Sequence, residues 1–569
     1  MRTISPLLEA LARLYPWGVD ASDELDESLS FIESPLAADT VLRAGYGAGL
    51  SSVALLLPLF VTPVPLPVVG FFALVVPITA IHVVHTGPKL AAAFRRTEAL
   101  GETPNLIGRA VLRMQVQPAL ESAVRFAAST GRGPLAASLD GHIDRSMGTP
   151  RTGLLSFADE WDERFPALRR SAHLLATAQQ APESERARTL DRALAAVLNG
   201  TRNQMATFTA AIRGPTTGVF AFGVMLPLAV VALVPSIPMV GIPVTIWMVV
   251  LFYNVVLPGA LVAAGFWLLV RRPVAFPPPK IDRSHPALPD RLWARSLCGV
   301  CIGVSAYLAA NAVGYPELAP IAGIGLGLGT GLLAVYGPIL RVRNHVRDVE
   351  RYLTDALYLV GRQVSEGESV ESAIELAGER VPDETGDVFA RAAGLQRRLH
   401  VSVEEAFFGT YGALESIPSP RAHGTAALLA LATDEGRPAG RAIVSMADHL
   451  EELEELERET RRNLEEVTST LDSTAAYFGP LVAGSTVGLA TMMAEMNLTA
   501  LDGATAFAPS SLALSIGVFV LTLCFVLTPL SLALRHGLDR ALIGYHVGRA
   551  LTSATIIYLL AICLIDIAF

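Results

Sequence analysis

Residues 318–340 read LAPIAGIGLGLGTGLLAVYGPIL, an apolar run without a single charged side chain. About 20 such residues, at 1.5 Å of helical rise each, cross the hydrocarbon core of a bilayer, so the stretch predicts a transmembrane helix. Its glycines, Gly323, Gly325, Gly327, Gly329 and Gly331, superficially look like a nucleotide loop. A phosphate-cradling loop needs a lysine, however, and the two lysines of the chain, Lys89 in Thr-Gly-Pro-Lys and Lys280 in Pro-Pro-Pro-Lys, do not fit that pattern. The four-residue spacing of Gly323, Gly327 and Gly331 instead predicts a helix-packing face, where absent side chains let two backbones approach.

Eight more runs of the same kind make nine in all: roughly 45–63, 67–85, 216–235, 243–270, 297–313, 318–340, 477–496, 511–534 and 550–569. A chain of 569 residues that is 51% hydrophobic and only 17% charged, with mean hydropathy +0.45, belongs with polytopic membrane proteins. About 40 residues precede the first run, among them Asp23, Glu24, Asp26, Glu27 and Glu33, which no cleavable signal peptide would carry. Arginine and lysine remain on the side where the chain is made. The loops 63–67, 235–243, 314–317 and 495–510 contain neither, so they are placed outside. This predicts a multi-pass protein of the inner (cell) membrane with a cytoplasmic N-terminus and an external C-terminus. The basic linker 271–295 and turn 535–549 favour anionic lipid headgroups. Asn497-Leu498-Thr499 is a candidate glycosylation acceptor on the outer side, whereas Asn199-Gly200-Thr201 falls in the cytoplasm.

Two long polar segments interrupt the spans, and the expected organisation is a cytoplasmic tail (1–44), a membrane pair (45–86), a cytoplasmic helical domain (87–214), a pair (215–270), a basic Pro-rich linker (271–296), a pair (297–340), a second cytoplasmic helical domain (341–476) and three closing spans (477–569). The octet Glu121-Ser-Ala-Val-Arg-Phe-Ala-Ala128 returns 250 positions later as Glu371-Ser-Ala-Ile-Glu-Leu-Ala-Gly378. Alanine, leucine, arginine and glutamate dominate both segments, and no β-branched alternation occurs. The fold class is therefore all-α, a membrane protein with about nine transmembrane helices and two duplicated cytoplasmic helical bundles. In 441–471, Ile443, Met446, Leu450, Leu453, Leu464, Val467 and Leu471 follow three-four spacing, broken by Glu457 and Thr460, which predicts packing inside the same bundle with 451–459 as the solvated face, a partner-binding coiled coil being the alternative.

Arg362-Gln-Val-Ser-Glu-Gly367-Glu-Ser-Val-Glu-Ser-Ala373 is a helix ending in a glycine turn, and Ile417-Pro-Ser-Pro420 leads to a helix and then Asp434-Glu-Gly-Arg-Pro-Ala-Gly440. Duplicated cytoplasmic helical domains between paired spans, with these turns, resemble the type II secretion system F family. The size and extra spans look like its archaeal branch, the platform proteins of archaella and archaeal type IV pili. In the first domain Gln117-Pro-Ala-Leu120 stands where the turn glycine would be. The resemblance implies a platform for filament assembly that engages a hexameric secretion ATPase and pilin or archaellin subunits, with a homodimer beneath the filament as one arrangement. If an ATPase is engaged, arginines suited to bidentate pairing are its expected contacts: Arg109, Arg113, Arg362, Arg397, Arg398, Arg437 and Arg441.

No enzyme signal is present. Cys298 and Cys301 have half the spacing of a metal site, and His82 and His85 share a helix face, but neither pair has a recognisable second pair, so no metal or cofactor is expected. Acidic residues exceed basic ones by nine, and no nucleic-acid partner is expected. The alternative to a platform is a transporter built from parallel repeats, which should carry ionisable residues at mid-membrane. Here Asn254 is the most polar deep residue, and Glu317, Glu495, Asp502 and Asp566 sit at or beyond the outer ends.

Overall fold

The structure is a computed structural model that describes residues 5–58, 65–131, 133–148, 152–240, 245–273, 281–282, 285–289, 292–435, 437–495 and 508–568. Among the described residues every regular element is a helix. The chain divides into two compact units, Met1–Glu98 with Pro243–Gly259, and Ala99–Ile242 with Ala260–Phe569.

In the first unit the expected tail is folded. Helices α1 (Ser5–Ala12), α2 (Asp23–Phe31), α3 (Ala38–Leu56) and the second half of α4 (Leu66–Gly101) bury Leu25, Leu29, Ile32, Leu36, Val41 and Ala92 together. A glycine lets α1 approach α3, because a Cβ at Gly47 would sit 1.9 Å from the Leu11 carbonyl oxygen. Tyr15 stacks on Tyr46 at 4.8 Å, and Glu24 and Glu27 pair with Lys89 and Arg96 at 2.6 and 2.7 Å. Glu24 and Glu27 thus tie α2 to α4.

The first polar segment is a series of six helices: α5 (Thr103–Val116), α6 (Leu120–Thr130), α7 (Pro134–Ser146), α8 (Gly153–Glu160), α9 (Pro166–Gln180) and α10 (Glu183–Phe220). A π turn, Ala221–Met225, carries α10 into the apolar α11 (Leu226–Leu233). Then come α12 (Ile246–Leu251), α13 (Leu257–Val270), α14 (Ser296–Ala312) and α15 (Ala319–Glu350). The second polar segment again has six: α16 (Leu353–Glu366), α17 (Val370–Arg380), α18 (Asp383–Leu399), α19 (Val403–Phe408), α20 (Pro420–Glu435) and α21 (Arg437–Ser473). A π turn at Thr474–Phe478 leads into α22 (Gly479–Glu495), followed by α23 (Pro509–His536) and α24 (Arg540–Ala568).

Among the described residues, seven helices are long and apolar enough to cross a membrane: Val68–Val116, Glu183–Ile237, Ile246–Val270, Ala319–Glu366, Ala439–Ala494, Pro509–His536 and Arg540–Ile567. Two of the nine expected spans fall outside this set. Helix α14 is apolar but only 17 residues long, and α3 carries Asp39 and Arg43 in its first half, while 59–63 lie outside the described residues. Helices run across the expected edges at Gly87 and Leu340. Helix α4 runs unbroken through Pro88 to Gly101 and α15 continues to Glu350, since helical hydrogen bonding does not end where the apolar run does.

Gly323, Gly327 and Gly331 lie against α14, where added Cβ atoms would be 3.2, 3.0 and 3.6 Å from Gly303 and Gly299 atoms. The alternate glycines Gly325 and Gly329 face α24, at Thr555 and Thr552. Both faces of α15 are thus closed by backbone approach. Gly303→Val should cost about 1–3 kcal/mol, because its Cβ would start 2.7 Å from the Gly323 carbonyl oxygen and α14 would have to move. Gly337, also within α15, has open space around its Cβ position, so Gly337→Ala should gain a few tenths to about 1 kcal/mol. Thermal unfolding of the detergent-solubilised variants reads both; shifts of the same sign would refute the packing argument.

Candidate functional site

The glycine turn after α16 forms as its residues dictate. Gly367 has φ +107°, a conformation that a Cβ disfavours, and its N–H is donated to the Gln363 and Val364 carbonyls while Glu368 N–H reaches Gln363 at 3.1 Å. Ser369 then caps α17 by accepting from the Ser372 N–H. In the first series Gln117 occupies the equivalent junction in extended backbone, φ −131°, which any residue adopts, so no glycine is required there. The second proposed turn behaves differently. Gly436 lies outside the described residues, and Gly440 is inside α21, where a Cβ would meet the Ser365 N at 2.6 Å and the Gly361 carbonyl oxygen at 2.9 Å. Gly361 and Gly440 therefore let α16 and α21 cross at close range.

Helix α21 unites the two polar segments. Its predicted stripe is buried, with Ile443, Met446, Leu450, Leu453, Leu464 and Leu471 all in the interior, and Thr460 joins them. One face packs on α16 and another on α5 and α10 of the first segment. Gln115 donates from Nε2 to Ser445 Oγ at 3.1 Å, and Arg202 and Arg213 of α10 pair with Glu459 and Glu466 at 3.2 and 2.8 Å. Leu112 of α5 belongs to the same apolar core as α16–α21.

Where α5, α10, α16 and α21 meet they leave a cleft of about 710 Å³. Asp191 from α10 and Asp448, Glu451, Glu452 and Glu455 from α21 face it, with Arg441 as the cation on its wall. Tyr358 donates to Asp448 and, at 3.2 Å, to Glu451 Oε2. Partial burial, with Asp448 nearby, raises both Asp191 and Glu452 above the ordinary carboxylate range. Such a cleft disfavours anions and suits guanidinium or ammonium groups presented by a partner.

Beside the cleft is a half-buried ionic knot. Arg421 at the start of α20 pairs with Glu457 of α21 and lies 4.0 Å from Glu350 at the end of α15, and Ser419 donates its hydroxyl to Glu350. Burial by itself would lower the Arg421 guanidinium, but Glu457 and Glu350 outweigh it and hold it above its ordinary value. Burial raises Glu350 and Glu102, the latter taking a 3.3 Å hydrogen bond from Asn105. His449 is 3% exposed against Gly108, and burial pushes it down to about 4. Glu457, expected on the solvated face of α21, is turned inward because Arg421 is there to meet it.

Of the seven candidate arginines, the six with described side chains do not converge. Arg109 is half-buried beside Gly424, its guanidinium donating to the Thr130 carbonyl, and Arg441 borders the cleft. Arg113 bonds to Gln117 at 2.8 Å, while the exposed Arg362 and Arg397 pair with Glu366 and Glu375 at 2.9 and 2.6 Å. Arg398 is exposed at the end of α18. Arg437 opens α21, and its side chain, like Asn497 as a whole, lies outside the described residues. Sequence reasoning missed Asp191, Glu350 and Arg421, for which no local pattern exists. Cys298 and Cys301 are exposed on α14, His85 bonds to the Leu42 carbonyl at 2.9 Å, and among the described residues no group of three His, Cys, Asp or Glu side chains is placed to hold a metal. No protein-family model, curated protein or solved structure matches the chain.

Proposed function

We propose that the protein is an assembly platform for a type IV pilus-like filament, an archaellum or adhesion pilus, in which the two helical series receive force from a hexameric secretion ATPase and pass it to spans that handle pilin or archaellin subunits. The observation that carries this reading is the parallel between the series. Their helices run 14, 11, 13, 8, 15 and 38 residues in the first and 14, 11, 17, 6, 16 and 37 in the second. The first two helices of each start 250 positions apart, at Thr103 and Leu353 and at Leu120 and Val370. Each series is entered by a helix that continues from an apolar run and left by one that continues through a π turn into the next. Motion at the acidic cleft therefore has an uninterrupted helical route to the spans. Under this reading the chain sits in the cell membrane with nine spans, its N-terminus cytoplasmic and its C-terminus outside, as a homodimer beneath the filament.

The full chain, purified in detergent and immobilised, should capture the secretion ATPase of its own organism. Arg441→Glu, or Glu452→Lys with Glu455→Lys, should weaken capture at least about tenfold, as expected for reversed charges at a polar interface. Absence of capture, together with solute uptake by liposomes carrying the purified chain, would replace the platform with the transporter built from parallel repeats.

A further inference from the structure

A second charged cluster lies where α15 and α23 leave their apolar runs. Four elements bring arginines there: Arg272 just after α13, Arg343 and Arg347 on α15, Arg461 on α21 and Arg535 on α23. Three of the five are engaged. Arg343 is clasped by Asp539, Nη1 and Nη2 to the two carboxylate oxygens at 2.6 and 2.7 Å. Arg535 pairs with Asp472 at 2.5 Å and donates to Thr468 Oγ1 at 2.7 Å. Arg272, 4% exposed, donates to the Ala533 and Arg535 carbonyls at 2.6 and 3.2 Å and so closes the end of α23.

Arg347 and Arg461 are left over. Both are exposed, they repel one another, and both lie within electrostatic reach of His536 together with Arg272 and Arg535. The carboxylates nearest Arg347, Asp348 and Glu350, are engaged by Arg351 and Arg421. Neither guanidinium has a carboxylate ion pair of its own, Asp348 and Glu350 acting on Arg347 only at longer range, and the guanidinium fork matches the oxygens of a phosphate.

We propose that Arg347 and Arg461, beside His536, bind a phosphate group, and that its source is the headgroup of an anionic phospholipid at the ends of α15 and α23. The proposal needs these helices to cross a membrane but does not depend on the platform reading. Position argues for the lipid: Arg272 follows α13 by two residues and His536 ends α23, so the cluster borders the apolar runs, where a basic side chain is worth about 1 kcal/mol towards an anionic leaflet, or a factor of about five.

The test is native mass spectrometry of the full chain in detergent, titrated with phosphatidylglycerol or with phosphatidylcholine. Wild type should retain phosphatidylglycerol in preference. Arg347→Gln or Arg461→Gln should lower that retention about fivefold and the pair about thirtyfold, with phosphatidylcholine retention unchanged. Arg347→Lys with Arg461→Lys, which keeps the charge, should restore most of the loss and controls for folding. Competition by millimolar inorganic phosphate in wild type but not in the glutamine pair would support the phosphate site and assign its source to soluble phosphate. Equal retention of both lipids, or phosphatidylglycerol retention unchanged in the glutamine pair, overturns the proposal.

Discussion

Asp539→Ala is expected to destabilise the detergent-solubilised chain by about 3–5 kcal/mol, the cost of leaving a buried charge unpaired. Arg343 has only 4% of its side chain exposed and Asp539 14%, and Nη1 and Nη2 of Arg343 donate to the two carboxylate oxygens of Asp539. Asp539 also accepts the Leu542 N–H at 2.7 Å, capping α24, so alanine removes a cap worth about 1 kcal/mol as well. The pair links α15 to α24, helices that also meet through Gly329 and Gly548. Arg343→Met with Asp539→Leu should recover much of the loss, because the penalty comes from the orphaned charge rather than from absence of the pair. Unfolding followed by size-exclusion after heating reads all three. A single-variant loss within about 0.5 kcal/mol, the range of an ordinary surface change, would refute the argument.

Arg421→Ala should cost about 2–4 kcal/mol near pH 8, less than a fully buried pair because Arg421 keeps 21% of its side chain exposed. Its removal leaves Glu350 and Glu457 facing each other in the knot that joins α15, α20 and α21. The deficit should shrink as the pH falls. Burial already raises Glu350 above 4.5, its ordinary value, so the folded state holds that proton more firmly than the unfolded chain. Ionising it therefore costs stability, and the cost grows as pH rises from about 4.5 through the raised value. Without Arg421 the carboxyl rises further and the cost is larger. Melting temperatures of wild type and variant should converge towards pH 5 and separate towards pH 8, and Glu350→Gln added to Arg421→Ala should flatten the separation. Parallel curves would show that the carboxylates of the knot are already solvated.

Both predictions concern partners far apart in sequence, Arg343 with Asp539 and Arg421 with Glu350 and Glu457. That is why neither was foreseen. What was legible depends on neighbours along the chain. Gly367 marks a helix end because a left-handed residue favours glycine wherever the rest of the fold lies, and Gln117 departs from the pattern because its junction is extended. The stripe of α21 was readable from its spacing. The inward turn of Glu457 was not, since spacing carries no information about an arginine on another helix.

By itself, then, the sequence determined the helical class, the apolar runs and the local turns, because each follows from side-chain volume, hydropathy and backbone preference over a few residues. The tertiary structure decided that residues 5–44 fold back on α3 and α4, that both polar segments share α21, and which charges face one another. Those outcomes depend on desolvation and on charges meeting across helices, and both arise only when distant segments are packed together.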